Sequence, residues 1–373
     1  MTDFFCPSLF DGQTLHRDVR FTVDEGRIAA FTPDSAAGDA CVLTGLVCPG
    51  FIDTQVNGGG GVQFNDQPTF GCLQQMATAH ARHGTSSLLP TVITDDIETM
   101  QEAANAQAKA YHHAPSRFVG IHFEGPHLSE AKKGMHSARH LRILGDEEMA
   151  IFCRQDLGQV MLTVAPETVT PDQIRTLVAH KVIVSVGHTN ASFEQCAEAF
   201  AAGATGATHL FNAMSAFTSR EPGVVGAALY HPDVYCGLIL DLAHVHKISA
   251  ALAIAQKGAQ RIMLVTDAMG PAASDTDHFV YQDKKVMKQH GTLRLDDGTL
   301  AGSILTMDMA VKNAASLEGV SLAQALMMAT RTPAQFLGLN NIGRLGESSY
   351  ANFVCLDDSL QLTGHWHQGV SQI

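Results

Sequence analysis

A (β/α)8 barrel of the TIM type, with a small β-sandwich formed from both chain termini, is the α/β fold that this sequence predicts. Three observations point to it. Eight short apolar runs that read as buried strands alternate with amphipathic helical stretches between residues 51 and 267. The segments before and after that stretch read as β structure with turns. Four polar residues, Glu124, His188, His209 and Asp267, each close one of the apolar runs. Parallel strands need crossover connections, so a repeating strand–helix order implies a parallel sheet, and eight units are enough to close it. An open doubly wound sheet would gather its ligand at one reversal of strand order, not at many strand ends.

In chain order, residues 1–48 are the first part of the expected sandwich. Val19–Val23 and Arg27–Phe31 alternate on either side of the Asp24-Glu25-Gly26 turn. The pattern changes at Pro49-Gly50, and residues 49–340 are assigned to the barrel. Strands are expected near 51–55, 86–92, 118–124, 160–165, 182–188, 206–209, 235–241 and 261–267. Helices are expected at 70–83, 96–112, 171–180, 192–202 and 246–258, then at 306–318 and 321–337. Residues 275–300 look like a β-hairpin inserted after the eighth strand. Residues 341–373 would complete the sandwich.

The bulk composition limits the function. A chain of 373 residues suits a barrel of roughly 250–300 residues with an appendage. Its formal net charge of −13 gives no general attraction to nucleic acid or an anionic membrane. No apolar run approaches the roughly 20 residues of a membrane span, and Met1–Cys6 do not read as the start of a signal peptide. The eight cysteines contain no Cys-x-x-Cys pair and lie mostly in apolar stretches, as expected of reduced thiols in a cytoplasmic protein. Histidine is the outlier, with 19 residues, and points to metal or acid–base chemistry.

Glu124, His188 and His209 end strands three, five and six. Core packing gives no reason to place all three at one rim. Two imidazoles and a carboxylate with open positions suit one divalent ion, Zn²⁺ first and Fe²⁺ second. Asp267 ends strand eight on the same rim, where it could take a proton from the attacking water and pass it to a leaving amine. A fourth metal ligand or a helix N-cap would explain that placement equally well. Strand one carries Gln55 and Asn57, two apart and so on one face. Many metallohydrolase barrels carry a His-x-His pair there, and neutral amides in its place argue for one metal, not two. His122 reads as core or as support for the ligands, His80/His83 and His112/His113 as surface, and His365/His367 as part of the tail sandwich. Gly58–Gly61 lacks the Lys-Ser/Thr of a phosphate loop and reads as a wall of the mouth.

These residues stand in familiar settings. Pro49-Gly50-Phe51-Ile52-Asp53, Gln55-Val56-Asn57-Gly58, His122-Phe123-Glu124-Gly125-Pro126, Lys132-Lys133-Gly134 with His136, and Gly187-His188 occur in order. Thr208 to Met214, Arg220-Glu221-Pro222-Gly223 and Val265-Thr266-Asp267-Ala268 follow. From about residue 45 to 345 the chain resembles the N-acetylglucosamine-6-phosphate deacetylase family of the amidohydrolase superfamily. The resemblance implies hydrolysis of an N-acetyl amide to glucosamine 6-phosphate and acetate. Glu124, His188 and His209 would hold the metal, and Asp267 would be the general base and acid. His136 would donate to the amide carbonyl, and Asn212 and Ala213 would contact the sugar. Arg220 and His244 would bind the 6-phosphate near the subunit interface of a homodimer. The galacto epimer is the alternative substrate, and the Gln55/Asn57 pair tilts against it, since relatives acting on that sugar tend to keep His-x-His. A noncatalytic binding scaffold would have no need for the whole set. Leu242, Ile304 and Pro271–Ser274 depart from the family pattern and bear on substrate detail.

Overall fold

The computed structural model describes residues 1–281 and 284–372. Gln282 and Asp283 of the expected insertion, and Ile373 of the expected second sandwich segment, lie outside the described residues. The barrel strands are β1 (Phe51–Val56), β2 (Thr85–Ile93), β3 (Gly120–Glu124), β4 (Gln159–Val164), β5 (Ile183–Val186), β6 (Gly206–Ala207), β7 (Tyr235–Ile239) and β8 (Ile262–Val265). They form one sheet in sequence order, every neighbouring pair parallel. All nine residues of β2 and all six of β1 are buried, because helices cover the outer face and packed side chains fill the inner one. This is why the strands read as unbroken apolar runs.

Closure between β8 and β1 is irregular. No ladder joins them; a single parallel bridge pairs Val56 with Ala268 just beyond β8. The backbone N–H of Asp267 donates to Gln55 O, and those of Asn57 and Gly58 donate to Ala268 O, each at 2.9 Å. The seam therefore lies directly beneath Asp267.

Helices α1 (Phe70–Ala81), α2 (Ile97–His113), α4 (Pro171–Ala179), α5 (Phe193–Ala201) and α7 (Lys247–Lys257) fall within two residues of their expected bounds. Two short ones, α3 (Asp146–Phe152) and α6 (Gly223–Tyr230), complete the connections. Ser or Thr at the N-cap with Gln three residues on starts α4 and α5, and also α9 (Leu322–Ala329). After α8 (Met307–Ala315), the single helix expected over 321–337 is in fact two, α9 and α10 (Arg331–Phe336), broken at Thr330. Pro333 is the cause: it has no N–H to donate, and its ring would strike the carbonyl four residues back.

The terminal strands Thr2–Phe10, Leu15–Asp24, Arg27–Thr32 and Leu46–Pro49 share one sheet with Phe353–Leu356, Leu362–His367 and Val370–Ser371. Phe353–Leu356 pairs antiparallel with Leu46–Pro49 and so joins the two ends of the chain. Phe21 meets Phe353 at 5.4 Å between ring centroids. Three strand spacings separate their strands in the sheet, about 14 Å if it were flat. The sheet must therefore curl over a core of Phe4, Phe21, Phe353 and Trp366. The expected hairpin insertion has three strands, His278–Tyr281, Lys284–Gln289 and Thr292–Arg294, and packs Tyr281 against Ile93, Met135 and Met269.

Candidate metal centre and active site

The carboxyl ends of the strands bring Glu124, His188 and His209 to one point. Glu124 Oε1 lies 3.2 Å from His188 Nε2 and 3.0 Å from His209 Nε2, and the two nitrogens are 2.9 Å apart. Among the described residues this is the one cluster of three ligand-type side chains, and all three are buried. Ligand atoms held 2.0–2.2 Å from a tetrahedral ion lie about 3.3 Å apart, so the cluster needs only a slight expansion to take one. His188 Nδ1 bonds to the carbonyl of Lys132 at 2.9 Å, which places the ring proton on Nδ1 and leaves Nε2 free to act as a ligand. Burial pushes the Glu124 carboxyl up, but the His188 and His209 rings set against it overcome that and hold the group well below the usual range. The donor set fits a divalent ion.

Local backbone geometry aims these side chains. His188, His209 and Asp267 have φ of 47°, 37° and 51°, in the left-handed region that L-residues avoid. Each is thus the point where a strand ends sharply, turning its side chain into the mouth. Glu124 keeps strand geometry, and the next residue, Gly125, takes the turn instead (φ 90°). Gly187 is needed before His188 because a Cβ there would lie 2.8 Å from Thr163 and Thr208.

Gln55 and Asn57 serve as donors, not ligands. Gln55 Nε2 donates to Glu124 Oε1 (3.1 Å) and Asp267 Oδ1 (3.2 Å), and Asn57 Nδ2 donates to Asp267 Oδ1 at 2.6 Å. Burial and the nearby Glu124 charge push the Asp267 carboxyl up to about 6. His136 is buried beside His188, with ring centroids 4.3 Å apart. Burial holds it well below its ordinary value, so the ring is neutral. Nδ1 faces Thr94, with Oγ1 at 2.8 Å and the backbone N–H donating from 3.4 Å, so the ring accepts there and carries its proton on Nε2. Asn57, Glu124, His136, His188, His209 and Asp267, with Asn212, Ala213 and His244, line a cavity of about 390 Å³. His244 Nδ1 is held by Asp241 Oδ2 at 2.7 Å.

Arg220 is exposed and does not line this cavity in its own chain. His122 lies one layer deeper, between Thr91 and Thr163. His365 bonds Ser86 Oγ and Ala81 O, fastening the sandwich to the barrel base. The surface placement expected of His80 is overturned. It is fully buried and bonds Gly58 O at 2.9 Å, because the Gly58–Gly61 loop folds onto α1. Leu242 and Ala273 both have positive φ (65° and 50°), the physical reason a glycine suits each position. Ile304 packs beside the insertion core and is not a cavity residue. Thr94, Asp53, Thr266 and the cavity residues Thr299 and Leu300 were not anticipated; of these only Asp53, a carboxylate inside an apolar run, left a signal in the sequence.

The profile of the Amidohydrolase family matches residues 46–369. The chain belongs to the amidohydrolase family. This amidohydrolase is 51% identical over 328 residues to N-acetylgalactosamine-6-phosphate deacetylase of Shewanella sp. (strain ANA-3), covering 88% of this chain and 83% of the relative. It is 35% identical to N-acetylglucosamine-6-phosphate deacetylase of Haemophilus influenzae, covering 84% and 83%. N-acetylglucosamine-6-phosphate deacetylase from Pasteurella multocida superposes with a TM-score of 0.95 at 32% identity over 99% of both chains. A variant of the Mycobacterium smegmatis enzyme in complex with N-acetyl-D-glucosamine-6-phosphate superposes at 0.94, with 28% identity over 100% and 99%. No helix among the described residues is long and apolar enough to cross a membrane.

Proposed function

We propose that this amidohydrolase removes the acetyl group of N-acetylglucosamine 6-phosphate, giving glucosamine 6-phosphate and acetate, with one divalent ion per subunit. The observation that carries this reading is a single cavity shared by the Glu124/His188/His209 cluster, Asp267 and neutral His136. A bound ion, Zn²⁺ first and Fe²⁺ second, would supply Lewis acidity and lower the pKa of water at the site. Asp267, with its carboxyl near 6, is poised to accept a proton from the attacking water near neutral pH and return it to the leaving amine. His136 Nε2–H can donate to the amide oxygen as negative charge develops there. Asn212 and Ala213 stand where a sugar ring would lie.

His244, oriented by Asp241, lines the cavity where it would meet the 6-phosphate. Arg220 would come from the neighbouring subunit of a homodimer, a role supported by its exposure away from its own cavity. The assignment treats 49–340 as the catalytic barrel, with 1–48 and 341–373 as the sandwich. A cytoplasmic location suits a sugar phosphate and eight unpaired cysteines.

The galacto epimer is the second reading, favoured by the name of the 51%-identical relative and opposed by the Gln55/Asn57 pair. The test is acetate release by metal-replete enzyme from both epimeric 6-phosphates and from unphosphorylated N-acetylglucosamine. The faster epimer names the substrate, and no release from any of the three ends the deacetylase reading. Arg220→Ala should weaken phosphorylated substrate far more than free sugar; equal losses would remove it from phosphate recognition.

A further inference from the structure

Asp53 is a buried carboxylate that no step above uses. It sits in the interior of β1, fully inaccessible, with no cationic partner among the described residues. Such a group is costly unless its oxygens are fully hydrogen-bonded. Oδ1 accepts from the backbone N–H of Gln55 and of Thr266, both at 3.2 Å, and Oδ2 accepts from Thr266 Oγ1 at 2.5 Å. The two contacts from Thr266 cross the seam where β1 and β8 share no ladder, and the one from Gln55 lies within β1.

The consequence lies one residue further along the chain. Thr266 precedes Asp267, whose φ is 51°. Every backbone polar group from Thr266 to Ala268 is tied. Thr266 N donates to Asp53, and Thr266 O accepts from Ser303 Oγ at 2.5 Å. Asp267 N donates to Gln55 O and Asp267 O accepts from Ser303 N, both at 2.9 Å. Ala268 N donates to Thr266 Oγ1 at 3.2 Å, and Ala268 O accepts from Asn57 N and Gly58 N. The Asp53 carboxylate anchors both ends of this arrangement. It fixes Thr266 by two bonds, and it fixes the backbone of Gln55, whose side chain touches Asp267 and Glu124.

We propose that Asp53 is a positioning residue: through Thr266 and Gln55 it holds Asp267 in its left-handed conformation facing the metal ligands. An asparagine has the same shape, but it lacks the charge, and its amide nitrogen at the Oδ2 position would have to donate to Thr266 Oγ1, which reverses that bond and leaves the hydroxyl only the more distant Gln55 O, at 3.4 Å, to donate to. The inference rests on the deacetylase reading for its kinetic arm alone.

The test uses full-length, metal-replete enzyme. Asp53→Asn should lower kcat by about 10- to 100-fold, as loss of supporting hydrogen bonds at metal sites does, with KM within about threefold and metal content unchanged. Thr266→Val should reproduce that split, and Thr266→Ser, which keeps the hydroxyl, should restore turnover to within about threefold of the parent. A merely structural role predicts loss of metal and of thermal stability, with KM and kcat moving together. That outcome, or unchanged kcat in a folded, metal-bound Asp53→Asn, overturns the proposal. A crystal structure of Asp53→Asn gives a readout free of any substrate. Asp267 should leave its position beside Asn57; an unmoved Asp267 overturns the proposal even if wild-type enzyme proves to act on another substrate. Failure of wild type on both sugar phosphates would instead count against the deacetylase reading only.

Discussion

At the scale of single residues, three of the four groups at the mouth sit in backbone conformations that each cost of order 1–3 kcal/mol. His188, His209 and Asp267 keep them because the surrounding hydrogen bonds leave no alternative. The same tightness makes their neighbours intolerant. Gly187→Ala would force a methyl against Thr163 and Thr208, whose hydroxyls are bonded to each other at 2.7 Å and cannot easily retreat. We expect a stability loss of about 1–3 kcal/mol, with weaker metal retention because His188 must shift; a calorimetric scan and metal analysis of dialysed protein check both, and an unchanged variant would show that the strand end can relax. Asp267→Asn tests the proton shuttle itself. It keeps shape and the contact with Asn57 but removes the base, so turnover should fall at least about 100-fold while metal stays bound. Near-normal turnover would leave Asp267 without its assigned role.

At the scale of elements, the segment after β3 is tied to the metal ligands from outside. Ser129 N donates to His188 O and His188 Nδ1 bonds Lys132 O, both at 2.9 Å, while His136 packs on the His188 ring. An ion on Nε2 fixes the tautomer that makes the Lys132 bond. Removing it frees the ring to turn, and the loop loses its anchor. Chelated enzyme should therefore be cut by trypsin after Lys132 and Lys133 several-fold faster than metal-replete enzyme, read by mass spectrometry; equal rates would disconnect the loop from the site. The strands were legible from the sequence because burial on both faces writes a continuous apolar run, and the strand-end polar residues stood out against it. Less was legible wherever a long-range contact decides. β6 keeps only two residues because His209 turns the chain away, and nothing in Ala207-Thr208-His209 marks that turn. His80 read as surface because the glycine loop that covers it is twenty residues distant in sequence. The break at Thr330 did have a local signal, Pro333, which lies within an otherwise helical pattern.

At the scale of the whole molecule, His365 and His367 at the joint between sandwich and barrel, and further histidines inside the barrel, are held neutral, and this gives the protein a definite response to acid. Burial pulls His365 down to about 4 and His367 to about 3, with the nearby Arg117 charge adding to both. Burial likewise takes His80 and His127 to about 4. In the unfolded chain each titrates near 6.5. Between about pH 6.5 and 4 the unfolded state therefore binds more protons than the folded one, and stability falls as pH falls through that window. Above 6.5 both states are neutral at these sites and they contribute no slope. Asp53 works in the opposite sense. Its carboxyl, pushed up to about 7 by burial, favours the folded state as pH falls from about 7 to 4, and that of Asp267, pushed up to about 6, acts with it; the two are outweighed by the four histidines together with His122 and His136, which burial also holds low. The unfolding temperature of metal-free protein should accordingly drop steadily from pH 6.5 to 5. His365→Gln isolates one part of the effect. It loses the paired bonds to Ser86 and Ala81, costing about 1–2 kcal/mol at pH 7, yet it removes one titrating group. Its stability should therefore depend less steeply on pH than that of the parent, by about one proton, so the two curves converge as the pH is lowered. Calorimetric scans of both proteins at half-unit steps measure this directly, and parallel curves would show that His365 is not held neutral in the folded state.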